Sequence, residues 1–84
     1  MSTLLGDEYR EEQAALMADP VVRAMAVSLR PSDIAAEFHF DSDTPRFGFM
    51  MASNAEYRSR GGQHSRSIGG VAHALAAIVR ERGR

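Results

Sequence analysis

Cysteine and lysine are both absent from this chain of 84 residues. Without cysteine the protein has no disulfide and no thiolate chemistry, which fits a reducing compartment. No apolar run approaches the roughly 18 residues that a membrane span needs. The first residues also lack the basic stretch and apolar segment that mark a signal peptide. We therefore expect one small cytoplasmic domain over residues 1–84, without membrane contact.

Charge is nearly balanced in total, at −1, but it is divided unevenly along the chain. Residues 1–45 carry nine acids and three arginines, whereas residues 46–84 carry two acids and seven arginines. Either the two halves attract each other in the folded protein, or the second half forms a basic face that meets phosphate or an acidic protein. The planar donors of arginine suit the second interpretation, although a GC-rich gene gives the same preference for arginine over lysine.

The first third of the chain predicts helix. Residues 7–18 begin with Asp7, which can cap a helix, and continue through acids and alanines. Asp19-Pro20 is typical of a new helix start. An apolar stripe then runs toward Pro31, where we expect helix to stop; its members are Val22, Met25, Ala26 and Leu29. The pattern leaves open whether residues 7–30 form two helices or one kinked helix.

Two segments in the middle of the chain alternate between apolar and other residues. A period of two over seven residues predicts half-buried strands, and the intervening residues 41–45 are rich in turn formers. We therefore predict a β-hairpin of residues 34–40 and 46–52, with Phe40 opposite Phe47 and Asp41 opposite Arg46. The apolar residues on its inner face are Ile34, Ala36, Phe38, Phe40, Phe47, Phe49 and Met51.

The predicted fold class is α+β, in the order helix, helix, strand, strand, helix, with the antiparallel hairpin packed on the helices. Ser53 and Glu56 match a capping box, which predicts a short helical turn ending at Gly61-Gly62. The last helix is predicted over residues 68–82, with Ser67 as its cap. A lone hairpin is marginal, so pairing two copies into a four-stranded sheet favours a homodimer.

The segment leading into the last helix is the candidate binding site. It gathers arginines, a histidine and a hydroxyl at a helix start, where free backbone amides attract anions. Tyr57 offers a ring on which a base can stack. The alternative is a solvated loop whose glycines serve backbone geometry and helix packing. The predicted partner-binding or anion-binding residues are Tyr57, Arg58, Arg60, His64, Arg66, Ser67, Gly69 and Gly70.

No residues have the spacing of a catalytic or metal site. His39, His64 and His73 lack the spacing of zinc-binding histidines. Ser65 beside His64 has no third group at a recognisable spacing and no nucleophile-elbow motif. So small a core also has little room for a substrate pocket. We therefore predict that the protein is not an enzyme and has no catalytic residue, metal or cofactor.

In size and composition, rather than in any motif, the chain resembles the small accessory proteins that phages encode. These include anti-CRISPR proteins and other inhibitors of bacterial defence. The leading hypothesis is an inhibitor that docks on a protein or nucleoprotein complex through the basic segment. Two alternatives stay open: a structural or assembly module that self-associates through the hairpin edge and a methionine-rich surface, and a direct nucleic-acid-binding protein.

Overall fold

The part of the chain that the structure describes consists of five helices and contains no strand. The structure is a computed structural model that describes the backbone of residues 3–38 and 43–82 and the side chains of residues 6–34 and 48–82. The helices are α1 (Thr3–Ala18), α2 (Pro20–Ala26), α3 (Pro31–Phe38), α4 (Asp43–Ser59) and α5 (Gly70–Arg82). The α+β fold class predicted from the sequence is therefore wrong.

Helix α5 lies at the centre, and the other four helices pack against it. Its sequence is apolar nearly all the way round, as expected of a helix that neighbours surround. Its buried apolar residues are Val71, Ala72, Ala74, Leu75, Ala76, Ile78 and Val79. Each surrounding helix adds apolar side chains to the same core, among them Leu16, Val22, Met25, Ile34 and Tyr57. Helix α5 therefore holds the other helices of the described chain in place.

The predicted start of α2 is confirmed. Asp19 has an extended backbone and its carboxylate accepts a 2.8 Å hydrogen bond from the Val21 amide. Pro20 stands in the first turn, where its missing N–H breaks no helical bond. Residues 7–30 thus contain two helices rather than one kinked helix. Asp7 is not a cap, because α1 begins at Thr3.

The predicted hairpin is wrong, because residues 34–38 lie in α3 and residues 46–52 lie in α4. Pro31 begins α3 instead of stopping α2, which has already ended at Ala26. The Arg30 carbonyl accepts from the Ile34 amide at 3.3 Å, while the Asp33 carboxylate accepts from the Arg30 amide at 2.8 Å. The bond from the Arg30 amide to the Asp33 side chain is one half of a capping box.

The hairpin prediction is wrong because apolar residues four positions apart are compatible with a helix as well as with a strand. Ile34 and Phe38 fit a strand of period two, but they also fit one face of a helix, as do Phe47 and Met51. Phe40 and Asp41 lie outside the described residues, but their predicted partners Phe47 and Arg46 are helical. The four-stranded sheet proposed for a dimer is overturned with the hairpin.

The end of α4 is where the glycines predict it. Gly61 has a φ of 90°, in the left-handed region that favours glycine. The Gly61 amide donates to the Arg58 carbonyl and the Gly62 amide to the Tyr57 carbonyl, both at 3.0 Å. These are the two bonds of a Schellman motif. The helix is longer than the predicted turn because it begins at Asp43.

Candidate functional site

A buried carboxylate from α1 fills the anion-binding position that the sequence predicts before α5. We call residues 60–69, between α4 and α5, the linker. Glu12 is only 7% exposed, and its Oε2 accepts hydrogen bonds from the amides of Arg66 and Ser67, the latter at 3.0 Å. Its Oε1 accepts from the Ser67 hydroxyl at 2.9 Å. The donors expected to hold an external anion therefore bind this internal one.

The position of Glu12 follows from the α1 sequence and from Gly70. Glu12 lies one turn before Leu16, which is fully buried, so both belong to the face of α1 that meets the protein. Gln13 adds a 2.9 Å hydrogen bond to the Gly70 carbonyl. A Cβ at Gly70 would lie 2.9 Å from Oε1 of Glu12, so glycine permits this close approach.

The start of α5 differs from the prediction in two respects. The Ser67 hydroxyl bonds to Glu12, so it does not cap the helix. The Gly70 amide donates to the Ser67 carbonyl at 3.3 Å, and Gly70 is buried. Gly69 is also enclosed, since a Cβ there would lie 2.8 Å from Cε of Met50. These glycines serve close packing, and Gly70 does not offer the free amide expected of an anion site.

Tyr57 is a core residue and not a stacking platform. Its side chain is fully buried, and its hydroxyl donates to Oδ2 of Asp19 at 2.6 Å. The same hydroxyl accepts from the His64 amide at 2.8 Å. Burial raises the pKa of the Tyr57 phenol, and the hydrogen bond to Asp19 raises it further. The ring is therefore inaccessible to a base, which corrects the predicted role of this residue.

The basic side chains of the predicted site differ in their hydrogen-bond and ion-pair partners. Arg58 donates to the Ser65 carbonyl at 3.1 Å, and Arg60 pairs with Glu56 at 2.7 Å. His64 and Arg66 are exposed in the linker. The Arg66 guanidinium has no hydrogen-bond or ion-pair partner among the described residues. These residues follow one another along the end of α4 and the linker, but the structure does not make them an open anion cradle.

Two cavities border both Arg66 and Glu12. The first, of about 330 Å³, is lined by Glu8, Tyr9, Glu12, Arg66 and Ser67. The second, of about 210 Å³, is lined by Glu11, Glu12, Ala15, His64 and Arg66. We call the surface made by these residues the α1–linker face. Tyr9 is 45% exposed on it, and Ile68, next to Ser67, is 46% exposed.

The charges of the α1–linker face are mixed. Helix α1 contributes the exposed carboxylates of Glu8 and Glu11, and the linker contributes Arg66 and His64. The acidic first half of the chain thus meets the basic second half here, which supports the first of the two interpretations of the uneven charge. A phosphate approaching Arg66 meets carboxylates on the same face.

Sequence reasoning missed Glu12 and Tyr9 as residues of this face. Glu12 was one member of an acidic run that looks like a solvated helix surface. Its four-residue spacing from Leu16 is the signal that places it on the buried side. Among the described residues, no group of three or more histidines or acids is placed to hold a metal ion. None of the described helices has the length and apolar character to cross a membrane.

These features define a small domain, helical in its described part, with a surface site where α1 meets the linker before α5. The sequence is 42% identical over 75 residues to the Gene 80 protein of Mycobacterium phage L5, which covers 86% of this chain and 80% of that relative. The chain therefore belongs to the family of this phage protein. No protein-family model matches the sequence, and no solved structure matches it.

Proposed function

We propose that the protein is a non-enzymatic binding protein that docks on a protein surface through the α1–linker face. The observation that carries the proposal is the groove shared by Tyr9 and Arg66. Tyrosine and arginine are among the residues that contribute most to binding energy at protein interfaces. Because Glu12 fixes the backbone of Arg66, less freedom is lost when a partner binds.

A protein partner fits this face better than a nucleic acid does. Glu8 and Glu11 border the same cavities as Arg66, so a phosphate backbone would be repelled as well as attracted. Tyr9 adds exposed apolar surface that a protein side chain can cover, and Ile68, next to Ser67 in the linker, is exposed as well. A nucleoprotein complex remains a suitable target when the contact is made to its protein component.

Membership of a phage protein family supports an accessory role of this kind. A protein of 84 residues can inhibit a larger machine by covering a surface that the machine needs. Inhibition of a bacterial defence complex, as anti-CRISPR proteins perform, is the form of the proposal that we favour. The self-assembly alternative has lost the hairpin edge on which it depended, although Met51 is still 45% exposed.

Affinity capture from a lysate of the host cell tests the proposal. The bait is the full chain as wild type, as the double variant Tyr9→Ala/Arg66→Ala, or as the control Arg80→Ala. Arg80 is exposed on α5 and lines neither cavity of the α1–linker face. Its replacement therefore controls for the loss of a surface arginine outside the proposed site. We expect a protein partner that wild type and Arg80→Ala retain and that the double variant loses at least about tenfold.

Nuclease treatment of the lysate separates the two partner classes. Retention of the partner after treatment supports a protein contact. Loss of the partner after treatment would show that nucleic acid makes the contact and would contradict the proposal. Equal recovery by the double variant and wild type, with both folded by circular dichroism, would show that the α1–linker face is not the docking surface.

A further inference from the structure

A second groove lies at the opposite end of α5 from the linker. It has a volume of about 390 Å³ and is lined by Arg23, Val27, Ile78, Glu81 and Arg82. Val27 follows the last residue of α2 and is 75% exposed, although its side chain is entirely apolar. We call this surface the α2–α5 groove. Since α5 separates it from the α1–linker face, it is an independent site.

Two arginines of the α2–α5 groove are held by backbone carbonyls instead of carboxylates. Nε of Arg23 donates to the Met17 carbonyl at 2.7 Å. The two terminal nitrogens of Arg82 donate to the carbonyls of Ala26, at 2.8 Å, and Leu29. Carbonyl partners fix each guanidinium in place but leave its full charge, and each keeps N–H donors for a ligand.

Three other arginines of the described surface differ from these two. Arg10, Arg30 and Arg60 each pair with a carboxylate three or four residues away, namely Asp7, Asp33 and Glu56. The lining of the α2–α5 groove includes two arginines and one carboxylate residue, Glu81. The groove thus places two fixed positive charges beside two aliphatic side chains, those of Val27 and Ile78. A ligand that carries both carboxylates and an apolar group complements this surface.

We infer that the α2–α5 groove binds an acidic segment of a partner protein. One apolar side chain of that segment contacts Val27 and Ile78, while carboxylates beside it bond to Arg23 and Arg82. Carboxylate pairs well with the planar donors of arginine, and the fixed guanidinium positions reduce the ordering cost. A nucleic acid matches the charges but offers no aliphatic side chain for Val27, so the acidic protein segment is the better fit.

An NMR titration tests this inference directly and detects weak binding. The ¹⁵N-labelled full chain is titrated with the peptide acetyl-Glu-Glu-Leu-Glu-Glu-Leu-amide up to about 5 mM. A peptide with glutamine in place of every glutamate controls for charge, and a thymidine hexanucleotide presents the alternative of nucleic acid. We expect saturable shifts of the Val27, Ile78 and Glu81 amides with the acidic peptide, and much smaller shifts with the other two ligands.

Variants complete the test. Arg23→Gln is expected to weaken the acidic peptide at least about fivefold, whereas Arg80→Gln, which changes an arginine outside the groove, is expected to leave the affinity unchanged. Should Arg23→Gln fail to fold, Val27→Ser at an exposed site takes its place. The inference is overturned if the acidic peptide shifts no groove amide, if the glutamine peptide or the oligonucleotide binds the groove as tightly, or if the groove variant binds like wild type.

Discussion

The Tyr57 hydroxyl donates a 2.6 Å hydrogen bond to Oδ2 of Asp19, whose Oδ1 caps α2. The same hydroxyl accepts from the His64 amide of the linker. One side chain of α4 thereby joins the start of α2 to the linker. Both Tyr57 and Asp19 are buried, so loss of either partner leaves a desolvated polar group in the core.

Replacement of Tyr57 by phenylalanine tests this connection. The variant keeps the buried ring but removes the hydroxyl, which leaves Oδ2 of Asp19 and the His64 amide without this partner. We expect the free energy of unfolding to fall by about 1–3 kcal/mol, measured by urea denaturation at neutral pH. Tyr9→Phe, at an exposed tyrosine, is the matched control. Equal losses in both variants would contradict a special role for Tyr57.

The raised pKa of Tyr57 predicts how stability changes in alkali. Burial and the Asp19 hydrogen bond favour the protonated phenol in the folded state more than in the unfolded chain. The resulting stability is complete below the unfolded pKa of about 10, and it is lost as the pH rises from there through the raised folded pKa. We expect the stability gap between wild type and Tyr57→Phe to narrow over this range. A gap that stays constant from about pH 8 to about pH 11 would contradict the prediction.

Glu12 gives a prediction about the linker. Glu12→Ala leaves the amides of Arg66 and Ser67 and the Ser67 hydroxyl without their acceptor. We expect a loss of about 2–4 kcal/mol in the free energy of unfolding, and a smaller loss for Glu12→Gln, which keeps one acceptor oxygen. Acetate is expected to raise the melting temperature of Glu12→Ala more than that of wild type. Equal stability of Glu12→Ala and Glu8→Ala, an exposed control, would contradict the prediction.

Three glycines are predicted to respond to alanine in three ways. At Gly62 the new Cβ would lie 2.2 Å from Cζ of Tyr57, so we expect a loss above about 2 kcal/mol. At Gly61 space is open but φ is 90°, which predicts a loss of about 1–2 kcal/mol. Gly48 lies within α4 with nothing within 4 Å, so Gly48→Ala should stabilise by about 0.5–1 kcal/mol. Urea denaturation of the three variants checks the order, and a destabilising Gly48→Ala would contradict it.

Helix boundaries with local causes could be predicted from the sequence, and the middle of the chain could not. Asp19-Pro20 and Gly61-Gly62 act through hydrogen bonds within a few residues. The local sequence is therefore enough to predict the helix start at the first pair and the helix end at the second. The alternation around Ile34 and Phe47 was shorter than two helical turns, and it fitted a helix as well as a strand. The sequence does not distinguish the two roles of Pro31, because a proline can stop one helix or begin the next.

Only part of the candidate site could be predicted from the sequence. The linker is one continuous segment, whereas Glu12, which bonds to it, is distant in sequence. The linker carries Arg60, Arg66 and three of the glycines directly before α5, as their order in the sequence requires. Glu12 lies more than 50 residues away, and only the packing of α1 against α5 places it beside Arg66 and Ser67. The burial of Tyr57 also depends on packing, since a tyrosine beside arginines resembles an exposed binding residue.

Amide hydrogen exchange of Arg66 and Ser67, followed by NMR in wild type and in Glu12→Gln, tests most directly whether Glu12 occupies the linker's anion position. In wild type we predict that both amides exchange slowly, at rates close to those of buried amides in α5, and that Glu12→Gln speeds their exchange selectively. Exchange of both amides in wild type at the rate of an unstructured peptide would show that the linker is open to external anions, contrary to the structure of the α1–linker face.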